Sequence, residues 1–272
     1  MYPILFTIGS ARIASFSIFL ILAWCVFSFV FWKSLRDEAV LEERIFDLTF
    51  YGTIAALVAA RAWYIISHWS IFSSALIKIP ALWVAPGLSL MAGIIGALIV
   101  VMVLSKRMKL RLGLVLDGIG VAFSGALIVG SVGSFLDGGM VGRAASVPWA
   151  VRYIGLPELR HPYQLYMLGV LVLILVIVGV VSERAKRVKW PLGSAGLTFF
   201  ILWSLGIFAL EFTREPDVYW YRISADQWIA LLLFFGTMSV WYRYAGGKFV
   251  VANFMRGARG AMMRLVQKMY AR

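Results

Sequence analysis

Charge is what this chain has least of. Only 14% of its 272 residues are Asp, Glu, Lys or Arg, and 62% are hydrophobic, whereas an ordinary soluble domain carries about 25% charged residues. In water, so little polar surface would leave large apolar patches exposed, which excludes a soluble globule. Cysteine is almost absent. Cys25 is the only one, so no intrachain disulfide can form, and within an apolar run its ordinary role is that of a small buried or lipid-facing side chain. Two histidines and one cysteine, far apart, give no zinc spacing. The sequence has no GxxxxGKS/T loop, which argues against a nucleotide motor. Neither a metal nor a cofactor is expected.

The charge that is present has one dominant sign. The net charge of +13 fits anionic lipid headgroups and the positive-inside bias of membrane proteins better than it fits nucleic acid. A bilayer core about 30 Å thick needs about 20 apolar helical residues, and helices are the default because an open strand cannot satisfy its backbone in lipid. Seven stretches qualify as spans: 13–32, 46–66, 82–104, 112–136, 163–181, 191–212 and a short one at 227–242. The first is too long, and lacks a clear small-residue cleavage site, to read as a removed signal peptide.

Orientation follows from lysine and arginine. The loops 33–44, 106–111 and 184–189 carry 3, 4 and 4, and the tail from Arg243 carries 7, for 18 in all against 7 on the other side. The richer side is cytoplasmic by the positive-inside rule. The expected architecture is therefore an all-α integral membrane protein of seven transmembrane helices, N-terminus outside and C-terminus cytoplasmic. Residues 1–242 form the membrane domain. Residues 243–272 form a basic tail with interleaved Phe249, Met255, Met262, Leu265 and Met269 and no acid. It reads as a segment lying on anionic lipid of the inner leaflet, or as a poorly ordered tail.

Ionisable groups inside spans are costly and often functional. Arg61, Asp117 and Glu211 qualify, each with the alternative of a paired or snorkelling structural charge. On the outer side, the loop after the fourth span gathers Asp137, Arg143, His161, Gln164 and Tyr166, and the loop after the sixth gathers Arg214, Glu215 and Asp217. Arginine forks bind phosphate through paired charged hydrogen bonds, and the glycines at 130, 133, 138, 139 and 142 let backbone approach a ligand closely. A phosphate-bearing lipid at the outer leaflet suits such a set.

These residues fall in a pattern that resembles the bacterial prolipoprotein diacylglyceryl transferase family over roughly residues 10 to 245. The family signature GRxGNFxNxExxGR is met by GSVGSFLDGGMVGR at Gly130, Gly133, Phe135, Gly142 and Arg143. HPxQLYE is met by HPYQLYM at His161, Pro162, Gln164, Leu165 and Tyr166, and Glu-Phe-x-Arg-x-Pro-Asp by Glu211, Phe212, Arg214, Pro216 and Asp217. Arg61, Tyr64 and Asp117 also fit. The chain departs from the family pattern at several polar positions, with Ser131, Ser134, Asp137, Gly139, Met167, Met91 and Ile207 standing where the family has arginine, asparagine, asparagine, glutamate, glutamate, histidine and arginine.

The resemblance implies seven helices with the N-terminus outside, residence in the bacterial cytoplasmic (inner) membrane, and transfer of a diacylglyceryl group from phosphatidylglycerol to the lipobox cysteine of a prolipoprotein signal peptide. It implies catalytic roles for His161, Tyr166 and Arg143. Substrate-binding roles would fall to Arg61, Arg214, Gln164, Glu211, Asp137 and Gly142. The departures keep open an altered or inactive relative that binds phospholipid or lipoprotein precursor as an accessory protein. A small transporter or channel is the weaker third reading, because the charges gather at the outer edge rather than near mid-membrane.

Overall fold

A computed structural model describes residues 2–8, 11–73, 76–81, 84–85, 87–216 and 218–244. Nearly all of the basic tail, and Asp217, lie outside the described residues. The described chain is mostly helical. Seven long helices run through it: α1 (Ser15–Arg36), α2 (Glu42–Ser67), α4 (Leu90–Arg107), α5 (Leu112–Asp137), α6 (Tyr163–Val188), α7 (Ser194–Leu210) and α8 (Ala225–Tyr244). A single turn, α3 (Trp69–Phe72), follows α2. Among the described residues, six segments are long and apolar enough to cross a membrane: α1, α2, α4, α5, α6 and the stretch Ser194–Thr213 that contains α7. The 20-residue α8 is not one of them; it carries Asp226 and Gln227 in its first turn.

The helices lie close to the sequence expectations with one informative exception. Apolar composition predicts a span from 82, yet α4 begins only at Leu90, with the Ser89 hydroxyl accepting from the Ala92 amide at 3.4 Å. Residues 84–85 and 87–89 before it are not helical, and Arg61 ties this region down. This guanidinium donates to the carbonyls of Lys78, Ile79, Ala85 and Gly87 at 2.9–3.1 Å, and its cationic face lies over the Phe72 ring at 5.1 Å. Four satisfied carbonyls make a loop tolerable where lipid composition alone favours helix.

Helices α5, α6 and α7 pack on one another at the centre, α1 lies along α5, α8 along α7, and α2 pairs with α4. Lipid gives apolar side chains no reason to leave it, so this association rests on close packing and buried hydrogen bonds. Gly120 and Gly196 bring α5 and α7 nearly backbone to backbone: a Cβ on Gly120 would sit 2.6 Å from the Gly196 Cα. One turn away, the Asp117 carboxylate accepts from the Gly193 and Gly196 amides at 2.7 and 2.9 Å. Those amides are the unpaired donors of the α7 N-terminus, and a capping carboxylate there is worth about 1 kcal/mol. Asp117 is a cap placed within the span. Around this contact Phe31, Leu35, Phe199, Phe200 and Trp203 are fully buried.

Three short antiparallel hairpins add to the helices, all at one end: β1 (Ile4–Ile8) with β2 (Ala11–Ala14), β3 (Val151–Arg152) with β4 (Leu159–Arg160), and β5 (Tyr219–Trp220) with β6 (Ile223–Ser224). An all-helical expectation omits them, because a period-2 signal is faint in strands of two to five residues. The first hairpin is tied down where the Tyr2 amide donates to the Leu136 carbonyl at the end of α5, at 2.9 Å. This end of the bundle therefore collects the finish of α5 and α7, the start of α6 and α8, and the loops between them.

Candidate active site

Three segments distant in sequence meet at that end. Gly138, at φ 75°, ends α5 in the left-handed conformation that glycine adopts freely, and the chain turns into an extended run, 141–145. This run is hydrogen-bonded on both sides. The Arg143 amide donates to Thr213 O at 2.9 Å and the Glu215 amide to Val141 O at 3.1 Å. On the other flank the His161 amide donates to Arg143 O at 3.0 Å and the Ala145 amide to Leu159 O at 2.9 Å. The segments bearing Gly142-Arg143, His161 and Arg214 are thus neighbours in a small three-stranded patch, with bridges Gly142–Arg214 and Ala144–Arg160. Gly142 is required for steric reasons, since a Cβ there would run into the His161 carbonyl.

The side chains divide into those that hold the patch and those that face outward. Gln164, 2% exposed, donates to Met140 O at 2.6 Å and accepts from the Tyr153 hydroxyl at 2.8 Å. Burial pushes the Tyr153 phenol above its ordinary range, so it stays a proton donor and Gln164 is spoken for on both sides. Arg160 bonds the Gly142 carbonyl at 3.1 Å and pairs with Glu215 and, at 3.5 Å, Glu158. Arg214 pairs with Glu211 at 3.1 Å and Asp226 at 3.0 Å, while the Tyr163 hydroxyl reaches Glu211 at 3.4 Å. Burial works against the charge of Arg214, and the facing carboxylates Glu211 and Asp226 more than offset it, so the guanidinium is held above its ordinary range. Two carboxylates on one guanidinium leave that arginine little positive field for a further anion.

Arg143 is different. It is exposed, its Nε donates to Arg214 O and its Nη2 to the Tyr219 hydroxyl, both at 3.0 Å, and no carboxylate faces it among the described residues. Of the five N–H groups on a guanidinium, three stay free for a ligand. Beside it, the main chain of His161 is bonded to Arg143, and the ring Nδ1 lies 3.0 Å from the Tyr166 hydroxyl. Trp149 Nε1 donates to that same hydroxyl at 2.7 Å. Trp149 occupies one lone pair of the Tyr166 oxygen and His161 Nδ1–H can donate to the other, the tautomer that leaves His161 Nε2 with its lone pair to face a ligand.

The sequence-nominated residues therefore separate. Gly142, Arg143, His161, Gln164, Tyr166, Glu211 and Arg214 come together. Arg61 stands apart on α2, with four of its five N–H groups used on loop carbonyls; elsewhere on the same helix, Trp63 lies 5.3 Å from Trp220 of the third hairpin. Asp137 is the last residue of α5 and makes no hydrogen bond or ion pair among the described residues. Five further side chains serve the cluster: Trp149, Tyr153, Tyr163, Tyr219 and Asp226. Tyr163 fills the open position of HPxQLYE and Asp226 is legible as an acid opening α8, but the neighbourhoods of Trp149, Tyr153 and Tyr219 carry no periodic or motif signal. Three positions of departure, Met91, Met167 and Ile207, lie buried in one hydrophobic core with Tyr163 and Trp203.

A bundle of apolar, membrane-length helices with an arginine, histidine and tyrosine cluster stitched at one end fits a multi-pass membrane protein. Comparison with known proteins makes this specific. The chain belongs to the prolipoprotein diacylglyceryl transferase family, whose sequence model matches residues 3–243. Three relatives, each named phosphatidylglycerol–prolipoprotein diacylglyceryl transferase, illustrate the similarity. The one from Aeromonas salmonicida is 26% identical over 254 residues, covering 89% of this chain and 90% of the relative. The one from Geobacter sulfurreducens is 29% identical over 79% of this chain and 83% of its own length. The one from Chromohalobacter salexigens is 30% identical over 65% and 66%.

Gly142→Ala tests the stitching. Relieving the overlap with the His161 carbonyl must open the patch, and overpacking of this kind costs about 1–3 kcal/mol. Limited proteolysis within residues 138–162 should become about tenfold faster while the helices stay protected. An unchanged cleavage rate would contradict the arrangement.

Proposed function

We propose that this protein transfers the diacylglyceryl group of phosphatidylglycerol to the thiol of a lipobox cysteine in prolipoproteins. The observation that carries this reading is the meeting of Arg143 and His161, on adjacent strands of one patch, with Tyr166 from the first turn of α6, residues from two separate family motifs, at the end of a membrane bundle. Family membership supports the same chemistry.

In the reaction the cysteine sulfur bonds to the terminal glyceryl carbon, the carbon–oxygen bond to phosphate breaks, and glycerol phosphate leaves. The thiol proton passes to a base and finally to solvent or the departing phosphate. A displacement of this kind needs a thiolate, a cation on the phosphate and alignment of both substrates. The free fork of Arg143 holds the phosphate and takes up the charge that develops on the leaving oxygen. The Trp149–Tyr166–His161 chain handles the proton, with His161 Nε2 facing the reactants. Gly142 and Gln164 support the strand that aims Arg143. Glu211 and Arg214 fix the end of α7 beneath it. Arg61 keeps the α2–α4 loop in place at the substrate entrance, and Asp137 lies at the rim where the polar head of a substrate passes.

The functional unit spans residues 1–242, with the seven helices arranged so that the N-terminus and the cluster face outward and the C-terminus lies in the cytoplasm of a bacterial inner membrane. The basic tail rests on anionic lipid. The 18 to 7 distribution of lysine and arginine supports this orientation. In a Cys25→Ser background, Glu158→Cys should react with an impermeant thiol reagent on spheroplasts and Ser34→Cys only after permeabilisation. Equal labelling of both from outside would refute it.

A second reading is favoured by the apolar packing of Met91, Met167 and Ile207, where the family pattern carries histidine, glutamate and arginine. With those polar groups gone the scaffold would bind lipid or precursor for another protein without turning it over. Purified protein given phosphatidylglycerol and a lipobox peptide decides between them. Thioether product and glycerol phosphate should form, and Arg143→Ala or His161→Ala should lower the rate on the order of 10²–10³-fold. Lipid binding with no product above a protein-free control would establish the second reading instead.

A further inference from the structure

The strongest unassigned feature lies at the opposite end of α6. The inner face of this helix is spent on the core through Leu171, Ile174 and Val178. Its outer face carries a groove of about 420 Å³ lined by Leu175, Val176, Gly179, Val180, Arg184 and Arg187, with Glu183 beside them. The spacing of three and four residues keeps these on one face. Gly179 makes the furrow, since a Cβ built there would meet nothing within 4 Å. Val176 and Val180 flank it, 58% and 50% exposed. Arg184 and Arg187 close its polar end, and neither forms an ion pair with a carboxylate among the described residues. From Tyr166 to Arg184 the helix rises by roughly 27 Å at about 1.5 Å per residue, nearly the thickness of the hydrocarbon core. The groove therefore belongs to the other leaflet from the cluster described above.

We propose that this groove is a second lipid site, which holds one anionic phospholipid of that leaflet with an acyl chain along Gly179 and its phosphate on Arg184 and Arg187. The apolar floor and the cationic head are stacked along the helix in the order that a lipid presents its own parts. Two unpaired guanidiniums favour a phosphate with net negative charge over a zwitterionic headgroup. Their position in the last turn of α6 also suits the helix dipole, but that accounts for the charge alone and leaves the furrow beneath it unexplained. A second copy of the chain packed in parallel on this face would bring Arg184 and Arg187 against the same two arginines, a like-charge contact. Glu183 also lines the groove, so its polar end carries a net single positive charge, which suits one phosphate and disfavours a second. This proposal is independent of the transfer reaction.

Native mass spectrometry of the protein released from micelles tests it, with phosphatidic acid and phosphatidylcholine as probes. Phosphatidic acid avoids the headgroup assigned to the catalytic cluster, and the Arg143→Ala background removes that cluster's phosphate ligand. The wild-type groove should retain one phosphatidic acid at least fivefold more than phosphatidylcholine. Arg184→Gln with Arg187→Gln should abolish the preference. Gly179→Leu, which fills the furrow and keeps both charges, should weaken retention as well. Equal retention of the two lipids by the wild-type groove would overturn the proposal, as would full retention in Gly179→Leu. A stable dimer dispersed by Gly179→Leu without any lipid preference would assign the face to a second copy and overturn it too. With Arg143 intact, transfer activity should be unchanged in the α6 variants.

Discussion

Everything at the polar end of this protein depends on the backbone pairing of one extended run, 141–145, between two others. Outside the lipid a loop must still satisfy its amides and carbonyls, and this chain does so by lending 141–145 to the segments at 159–161 and 213–215. The pairing sets the order Arg214, Gly142-Arg143, His161 across the patch. The side chains follow from it: Arg143 is aimed by the Arg214 carbonyl and the Tyr219 hydroxyl, and His161 is fixed by its main chain before its ring meets Tyr166. The functional groups reach one another because their backbones do.

The bundle supplies the frame for that pairing. The finish of α5 and α7 must lie side by side for residues 141 and 215 to meet, and the close contact of Gly120 with Gly196, capped by Asp117, sets their separation from the other end. Charge is distributed with the same economy. Arg61 is spent on loop carbonyls, while Arg160 and Arg214 each face two carboxylates and keep an unpaired Nε, which leaves Arg143 as the motif arginine that no carboxylate among the described residues offsets. The apolar core under the patch, with Met91, Met167 and Ile207, confines the polar chemistry to the mouth of the bundle.

Much of the helical layout is legible in sequence because lipid imposes a simple rule of length and apolarity. It fails just before Leu90, where residues 84–85 and 87–89 are not helical and the Ala85 and Gly87 carbonyls are tied to the Arg61 guanidinium, a long-range contact that no local window contains. The cluster was legible as motifs but not as geometry. His161 and Arg143 can be nominated from spacing, yet the division between Arg143, which is free, and Arg214, which is neutralised by Glu211 and Asp226, depends on an acid twelve residues further on in a different helix. Likewise Gln164 looks like a ligand in sequence and proves to be a tie between α6 and Met140. Trp149 and Tyr219 had no signal at all, since their importance lies in single hydrogen bonds across the patch.

The central claim is that the three segments form one cooperative unit. Amide hydrogen exchange in detergent measures it directly. The amides of Arg143, Ala145, His161 and Glu215 should be protected together and should exchange at a common rate, opening as one unit. Independent exchange, with one flank fast and the other slow, would show that the patch is not a unit and would contradict the account.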